Sequence, residues 1–210
     1  MKAAILLNGE APDFELNEIL KNRFVVCADG AYTFAKQKKI KVDLLIGDLD
    51  SLNEEVDEEI KILRYDKDKD CTDGQLCLDY LIGNKYSDII FLGGGGLRDD
   101  HYRFNINLMY RAFLQNVLCK FYTNYCTIYL SNNKFTKTLP LNCVISLAPF
   151  FESAHIIYTK GLKYQIKDKT VYSKDTLTMS NVVIDSKVEI VSDGLVLIYA
   201  ACLNKKGNRY

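Results

Sequence analysis

The chain has 210 residues, 48% of them hydrophobic, enough for one large domain or two small ones with a sizeable core. Its 27 basic and 27 acidic side chains cancel, so no bulk charge draws it to nucleic acid, and its seven scattered cysteines lack any CxxC pair and read as reduced, mostly buried thiols rather than a disulfide frame. The five-residue apolar run after Lys2 is too short for a signal peptide and no run approaches a bilayer span, so the expectation is a soluble cytoplasmic protein that engages neither membrane nor nucleic acid.

In chain order, "AAILLN" (3–8) predicts a strand and "DFELNEILKN" (13–22) an amphipathic helix. "RFVVCAD" (23–29) is a second strand, followed by a helix through "AYTFAKQKK"; "VDLLIG" and "IKILRY" (60–65) are the third and fourth strands. A helix over "TDGQLCLDYLIGN" (72–84), a fifth strand "DIIFLGG" (88–94) and a helix "YRFNINLMYRAFLQN" (102–116) complete the first half. Short, continuously apolar strands separated by helices predict a doubly wound, largely parallel sheet. From about residue 119 helical periodicity stops, and β-rich runs joined by polar turns predict an antiparallel β-sandwich. The expected division is an α/β domain over 1–135 and a β-sandwich domain over 136–210.

Open parallel sheets bind ligands beyond the carboxyl ends of their strands. There the sequence places Asn8 and Gly9; Asp29 and Gly30; Asp48, Asp50 and Ser51; the acidic run "DKDKDCTDGQ" with Asp66, Asp68, Asp70 and Asp73; and "GGGGLRDDH" with Arg98, Asp99, Asp100 and His101. A rim of carboxylates, a flexible glycine loop and an arginine suit a magnesium–nucleotide complex: oxygen ligands for a hard cation, backbone close to phosphate, and a guanidinium for phosphoryl charge. Each piece has a plainer reading. Asp48 and Asp50 suit a solvated strand-end turn, Thr72 and Gln75 form a capping box, the lysines of "DKDKD" balance a charge run, and His101 suits a structural role. "GGGG" lacks the Rossmann and Walker spacing, the two histidines argue against zinc, and Ser51 has no nucleophile-elbow context. Three acidic clusters at successive strand ends outweigh the plainer readings. On extended backbone, Asp48 and Asp50 would point to the same side.

"CADGA", "LIGDLDS", "KDCTDGQ", the R-D-D-H-x-x-x-N run from Arg98 to Asn105, "GLKY" (161–164) and "SN" (180–181) resemble, in order, the motifs of thiamine pyrophosphokinases. The resemblance implies an α/β catalytic, nucleotide-binding domain and a β-sandwich thiamine-binding domain. It implies a homodimer with thiamine bound between subunits, and pyrophosphoryl transfer from Mg·ATP to the thiamine hydroxyl with release of AMP. It assigns Asp48, Asp70, Asp73 and Asp100 to catalysis, and Asp48, Asp50, Asp70 and Asp73 to Mg2+. Asp29, Asp50, Ser51, Gln75, Arg98 and His101 would bind ATP and its phosphates. Ser180 and Asn181 would recognise the aminopyrimidine of thiamine, although the same pair also suits a turn. The chain departs from the family pattern at Leu97, inserted before Arg98, and at Thr178, where glycine is usual. It also lacks tryptophan, leaving Tyr and Phe for aromatic packing. Two further readings are a magnesium-dependent phosphohydrolase, disfavoured by the scarcity of histidine, and a non-catalytic binder, disfavoured by the clustered aspartates.

Overall fold

The structure is a computed structural model and describes residues 1–50, 52 and 55–202. The chain falls into two compact units, Met1–Asn124 and Tyr125–Tyr210. The division precedes the expected boundary at 135/136, which falls inside a long strand, Thr127–Thr138.

The first unit contains β1 (Lys2–Leu6), α1 (Asn17–Leu20), β2 (Phe24–Ala28), α2 (Ala31–Gln37), β3 (Leu44–Gly47), β4 (Lys61–Arg64), α3 (Asp73–Gly83), β5 (Asp88–Leu92), α4 (Asp99–Leu114) and β6 (Leu118–Tyr122). Its strands lie in the order β6-β5-β1-β2-β3-β4, every neighbouring pair parallel. Residues 118–122, expected to begin the β-rich half, instead form the last parallel strand. Tyr102 and Phe121 pack with ring centroids 6.1 Å apart, and Val117 and Leu118 hydrogen-bond back to α4 and the start of β5. Ala3 to Leu6, Leu44 to Ile46 and Ile89 to Leu92 are almost wholly buried, as expected of strands covered on both faces. Each large side chain buried this way is worth roughly 1.5–3 kcal/mol. Helix α3 buries the stripe Gly74, Cys77, Leu78 and Leu81, spaced as one helical face.

Helix α1 is much shorter than the periodicity predicts. Upstream, Asp13 N donates to Asn124 Oδ1 at 2.9 Å and Asn124 Nδ2 donates to Ala11 O at 3.1 Å, so tertiary bonds hold this segment out of the helix. Strand order reverses at β1: β2 to β4 run off one side, and β5 and β6 lie on the other. The loops after β1 and β5 therefore flank a topological switch point, the place where such sheets take ligands.

The second unit contains β7 (Thr127–Thr138), β8 (Val144–Pro149), β9 (Ser153–Lys160), β10 (Lys167–Tyr172), β11 (Asn181–Val182) and β12 (Lys187–Ala201), all antiparallel. β12 pairs along its length with β7, with β9 in its first half and with β8 in its second. The switch of partner coincides with a register shift between Val191 and Leu195, where Gly194 takes φ +104°. Ile145, Ile156, Leu162, Val188, Val196 and Ile198 are among the side chains of its core. The pairing Ala201↔Val144 sets Cys143 beside Cys202, with Cα atoms 4.3 Å apart, and the two are joined as a disulfide. This corrects the expectation of seven reduced thiols. Cys27, Cys77 and Cys119 do follow it: burial holds their thiols protonated, Cys119 being pushed up to about 12.

Candidate active site

At the carboxyl ends of β1, β2, β4 and β5 lies a cavity of about 490 Å³, with Asn8, Asp29, Lys69, Asp73, Asp100 and His101 in its wall. A cleft of about 620 Å³ at the opposite strand ends, beside Arg23 and Asp43, holds none of the expected site residues.

The first wall is the β2–β3 corner. Asp29 takes φ +39°, and its Oδ1 accepts the Leu49 N–H at 3.1 Å. Gly47 fits only because it has no side chain: a Cβ there would sit 2.8 Å from that of Asp29. Extended backbone ends at Gly47, which corrects the expected geometry of the two aspartates. Leu49 adopts φ +65°, costly for leucine, and packs partly buried against the core. The resulting turn lets Asp48 Oδ1 accept the Asp50 N–H at 3.0 Å, and turns Asp50 outward to an exposed pair with Lys67 at 3.5 Å. Such a pair contributes little. Ser51 lies outside the described residues.

The second wall is the loop entering α3. Thr72 Oγ1 accepts the Gln75 N–H at 3.2 Å, the cap expected from the sequence, and this sets Asp73 in the first helical turn. Lys69 Nζ reaches Asp73 Oδ1 at 3.1 Å, Asp48 Oδ2 at 3.6 Å and the Asp66 carbonyl at 3.2 Å. Burial works against the ammonium's charge, but its pairing with Asp73, then with Asp48, outweighs this and raises its pKa. For Asp73 the balance goes the other way. Burial raises its pKa, Lys69 offsets this in part, and the charges of Asp29 and Asp48 add to the rise. Asp73 Oδ1 is buried and, among the described residues, lacks a hydrogen bond of regular geometry, meeting Lys69 Nζ as an ion pair. Asp48 is shifted down, chiefly by the Asp50 N–H. Asp70 is exposed, and neither it nor Gln75 lines the cavity.

The third wall follows β5. The Asn105 amide donates to Gly94 O at 3.0 Å, tying α4 to the glycine loop, in which Gly93 and Gly96 take φ +69° and +83°. Leu97, the extra residue before Arg98, is 78% exposed, so the loop absorbs it outward. Arg98 grips both oxygens of Asp100, holding that carboxyl down at about 2; both groups are exposed.

Ser180 and Asn181 belong to the second unit. Asn181 is buried; its Oδ1 accepts the Tyr164 and Val182 N–H groups, and its Nδ2 donates to Tyr164 O at 2.6 Å. It thereby clamps the "GLKY" loop. Ser180, exposed at φ +59°, donates its N–H to Ser146 Oγ at 2.9 Å. The hydroxyl of buried Thr178 donates to Leu147 O at 2.6 Å, which gives that departure from glycine a structural use. Ser146 and Thr178 line a cavity of about 520 Å³ together with Tyr125, Met179 and Tyr199.

The structure thus brings Asp29, Asp73, Asp100 and His101 to one cavity and ties Asp48 to it through Lys69. Among the described residues, no three His, Cys, Asp or Glu are already assembled as a metal site. Sequence reasoning missed Lys69; it placed Asn8 at a strand end and Asn105 in a motif but gave neither a role. The only signal for Lys69 was its place four residues before Asp73, inside a run that read as solvated charge.

Residues 16–121 match the family model described as thiamin pyrophosphokinase, catalytic domain, and residues 127–197 match thiamin pyrophosphokinase, vitamin B1 binding domain. A curated relative, thiamine pyrophosphokinase 1 of Oryza sativa subsp. japonica, is 26% identical over 91% of this chain and 83% of its own. The thiamine pyrophosphokinase of Bacillus subtilis is 28% identical over 67% of this chain and 69% of its own. In fold, the crystal structure of yeast thiamin pyrophosphokinase superposes with a TM-score of 0.77 at 18% identity, covering 95% of this chain and 86% of that one.

Proposed function

The chain belongs to the thiamin pyrophosphokinase family, and we propose on that premise that it transfers the pyrophosphoryl group of ATP to the hydroxyl of thiamine, giving thiamine diphosphate and AMP. The observation that carries this reading is Asp73 Oδ1: a buried carboxylate oxygen without a regular hydrogen bond, on a cavity that Asp29, Asp100, His101 and Asn105 also line, Asn105 tying it to the glycine loop. Such an oxygen suits a group that arrives with substrate.

A divalent cation fits this donor set. The carboxylates are hard oxygen ligands, and a magnesium ion completes its shell with water and substrate phosphate rather than needing a full protein cage. Asp48 and Asp73 would hold it, with Asp50 and Asp70 adding negative charge from the same loops. When bound, the ion supplies neutralisation of the polyphosphate oxygens.

The chain's own residues do the rest. The glycine loop brings backbone close to the phosphates, and Arg98 exchanges Asp100 for a phosphoryl oxygen. Asp29, Ser51, Gln75 and His101 belong to the nucleotide side. In transfer, the thiamine oxygen bonds to the β-phosphorus. The bond from that phosphorus to the α–β bridging oxygen breaks, and its electron pair leaves with AMP. The hydroxyl proton passes to a carboxylate and then to solvent. Asp73, whose pKa burial raises, orients the hydroxyl and takes its proton. In the second unit, Ser180 and Asn181, beside a cavity walled by Tyr125 and Tyr199, mark the thiamine side.

One incubation tests the reading. With ATP and Mg2+, AMP should form only when thiamine is added. Phosphate release without thiamine indicates a hydrolase, and absence of turnover indicates a binder.

A further inference from the structure

Among the described residues Lys67, Arg98 and Lys69 stand near these carboxylates, and their exposures separate them: Lys67 is 75% exposed, Arg98 63% and Lys69 15%. Lys69 Nζ donates to Asp66 O at 3.2 Å and is ion-paired with Asp73 Oδ1 at 3.1 Å and Asp48 Oδ2 at 3.6 Å. Asp48 follows β3 and Asp73 opens α3, so two carboxylates from different elements converge on one lysine.

One positive charge between two negative ones leaves the trio net negative, still attractive to a cation. Yet the oxygens that face the ammonium are the ones a metal would need. An ammonium and a divalent ion cannot share them at close range without strong repulsion. The lysine stem is long and flexible, its head is a compact point charge, and it lines the same cavity as Asp29 and Asp100.

Resting on the ATP-dependent reading above, we propose that Lys69 is the resident countercation of Asp48 and Asp73: it competes with a divalent cation for them in the free enzyme and, once released, pairs with nucleotide phosphate. Lys69 is thus a positioning residue without nucleotide and a phosphate contact with it.

The test uses the full chain without thiamine or turnover, so it succeeds or fails independently of the transfer assay. Mn2+ is titrated into nucleotide-free protein and followed by electron paramagnetic resonance. Lys69→Met should bind Mn2+ about tenfold more tightly than the unmodified chain and Mg·ATP about tenfold more weakly, while Lys69→Arg should stay near the unmodified Mn2+ affinity. Unchanged affinities in Lys69→Met would make Lys69 a structural bracket and overturn the proposal. If Lys69→Met does not fold, amine acetylation of the unmodified chain read by mass spectrometry decides. Saturating Mn2+ should speed labelling of Lys69 several-fold and added ATP should slow it again; a rate indifferent to Mn2+ would overturn the proposal.

Discussion

Asp73 sits in a place that disfavours its charge. Burial raises its pKa first, and the charges of Asp29 and Asp48 add to that against the pull of Lys69. A carboxyl whose folded pKa is raised favours the neutral form. Ionised Asp73 therefore costs stability: the cost is absent below the unfolded value of about 3.9, grows from there as pH rises, and is complete above the raised folded pKa. Asp73→Asn should cut turnover by about 10² to 10⁴ while raising the melting temperature at neutral pH, with the gap closing toward acid; a lower melting temperature at neutral pH would contradict this. Trading stability for function in this way is common at catalytic sites. The aspartates at the strand ends were legible as acidic runs, but of Asp48, Asp50, Asp70 and Asp73 only Asp48 and Asp73 meet at Lys69. The turn at Leu49 was not legible, because leucine carries no turn signal and its φ of +65° is imposed by packing against the core and the Asp29–Leu49 hydrogen bond. Lys69 was illegible for a similar reason: its partner Asp48 is remote in sequence, and only folding brings the two loops together.

At the scale of elements, β7, β9 and β12 are tied by one carboxylate. Glu189 on β12 accepts from Lys134 on β7 at 2.7 Å and from the Tyr158 hydroxyl on β9, with Lys160 at 3.7 Å. Lys134 first, then Tyr158, hold it down at about 2. Because the folded pKa lies below the unfolded value of about 4.3, its stabilisation is complete above that value and is lost as pH falls through about 2. Glu189→Gln should therefore melt below the unmodified chain near neutral pH, with the two curves converging in strong acid. A constant gap at all pH values would assign the effect to packing. Parallel strands in the first half were readable from their unbroken apolar runs, and α3 from its cap. β6 was not, since a short β-run reads alike in a parallel or an antiparallel sheet until its partner is known. α1 fell short for a tertiary reason, the Asn124 hydrogen bonds to Ala11 and Asp13.

For the whole molecule, no helix among the described residues is long and apolar enough to cross a membrane. The second unit exposes Phe151, Tyr164, Leu177 and Met179, with Met179 70% exposed. We propose a homodimer with thiamine bound at the subunit interface. Sedimentation equilibrium should give twice the chain mass of 24.0 kDa; a monomer that remained fully active would exclude a shared site. The central claim is transfer of an intact pyrophosphoryl group, and the most direct measurement follows the γ-phosphate of labelled ATP with Mg2+ and thiamine. The account predicts that the label enters thiamine diphosphate, mole for mole with AMP. Label in inorganic phosphate, or AMP released at the same rate without thiamine, would contradict it.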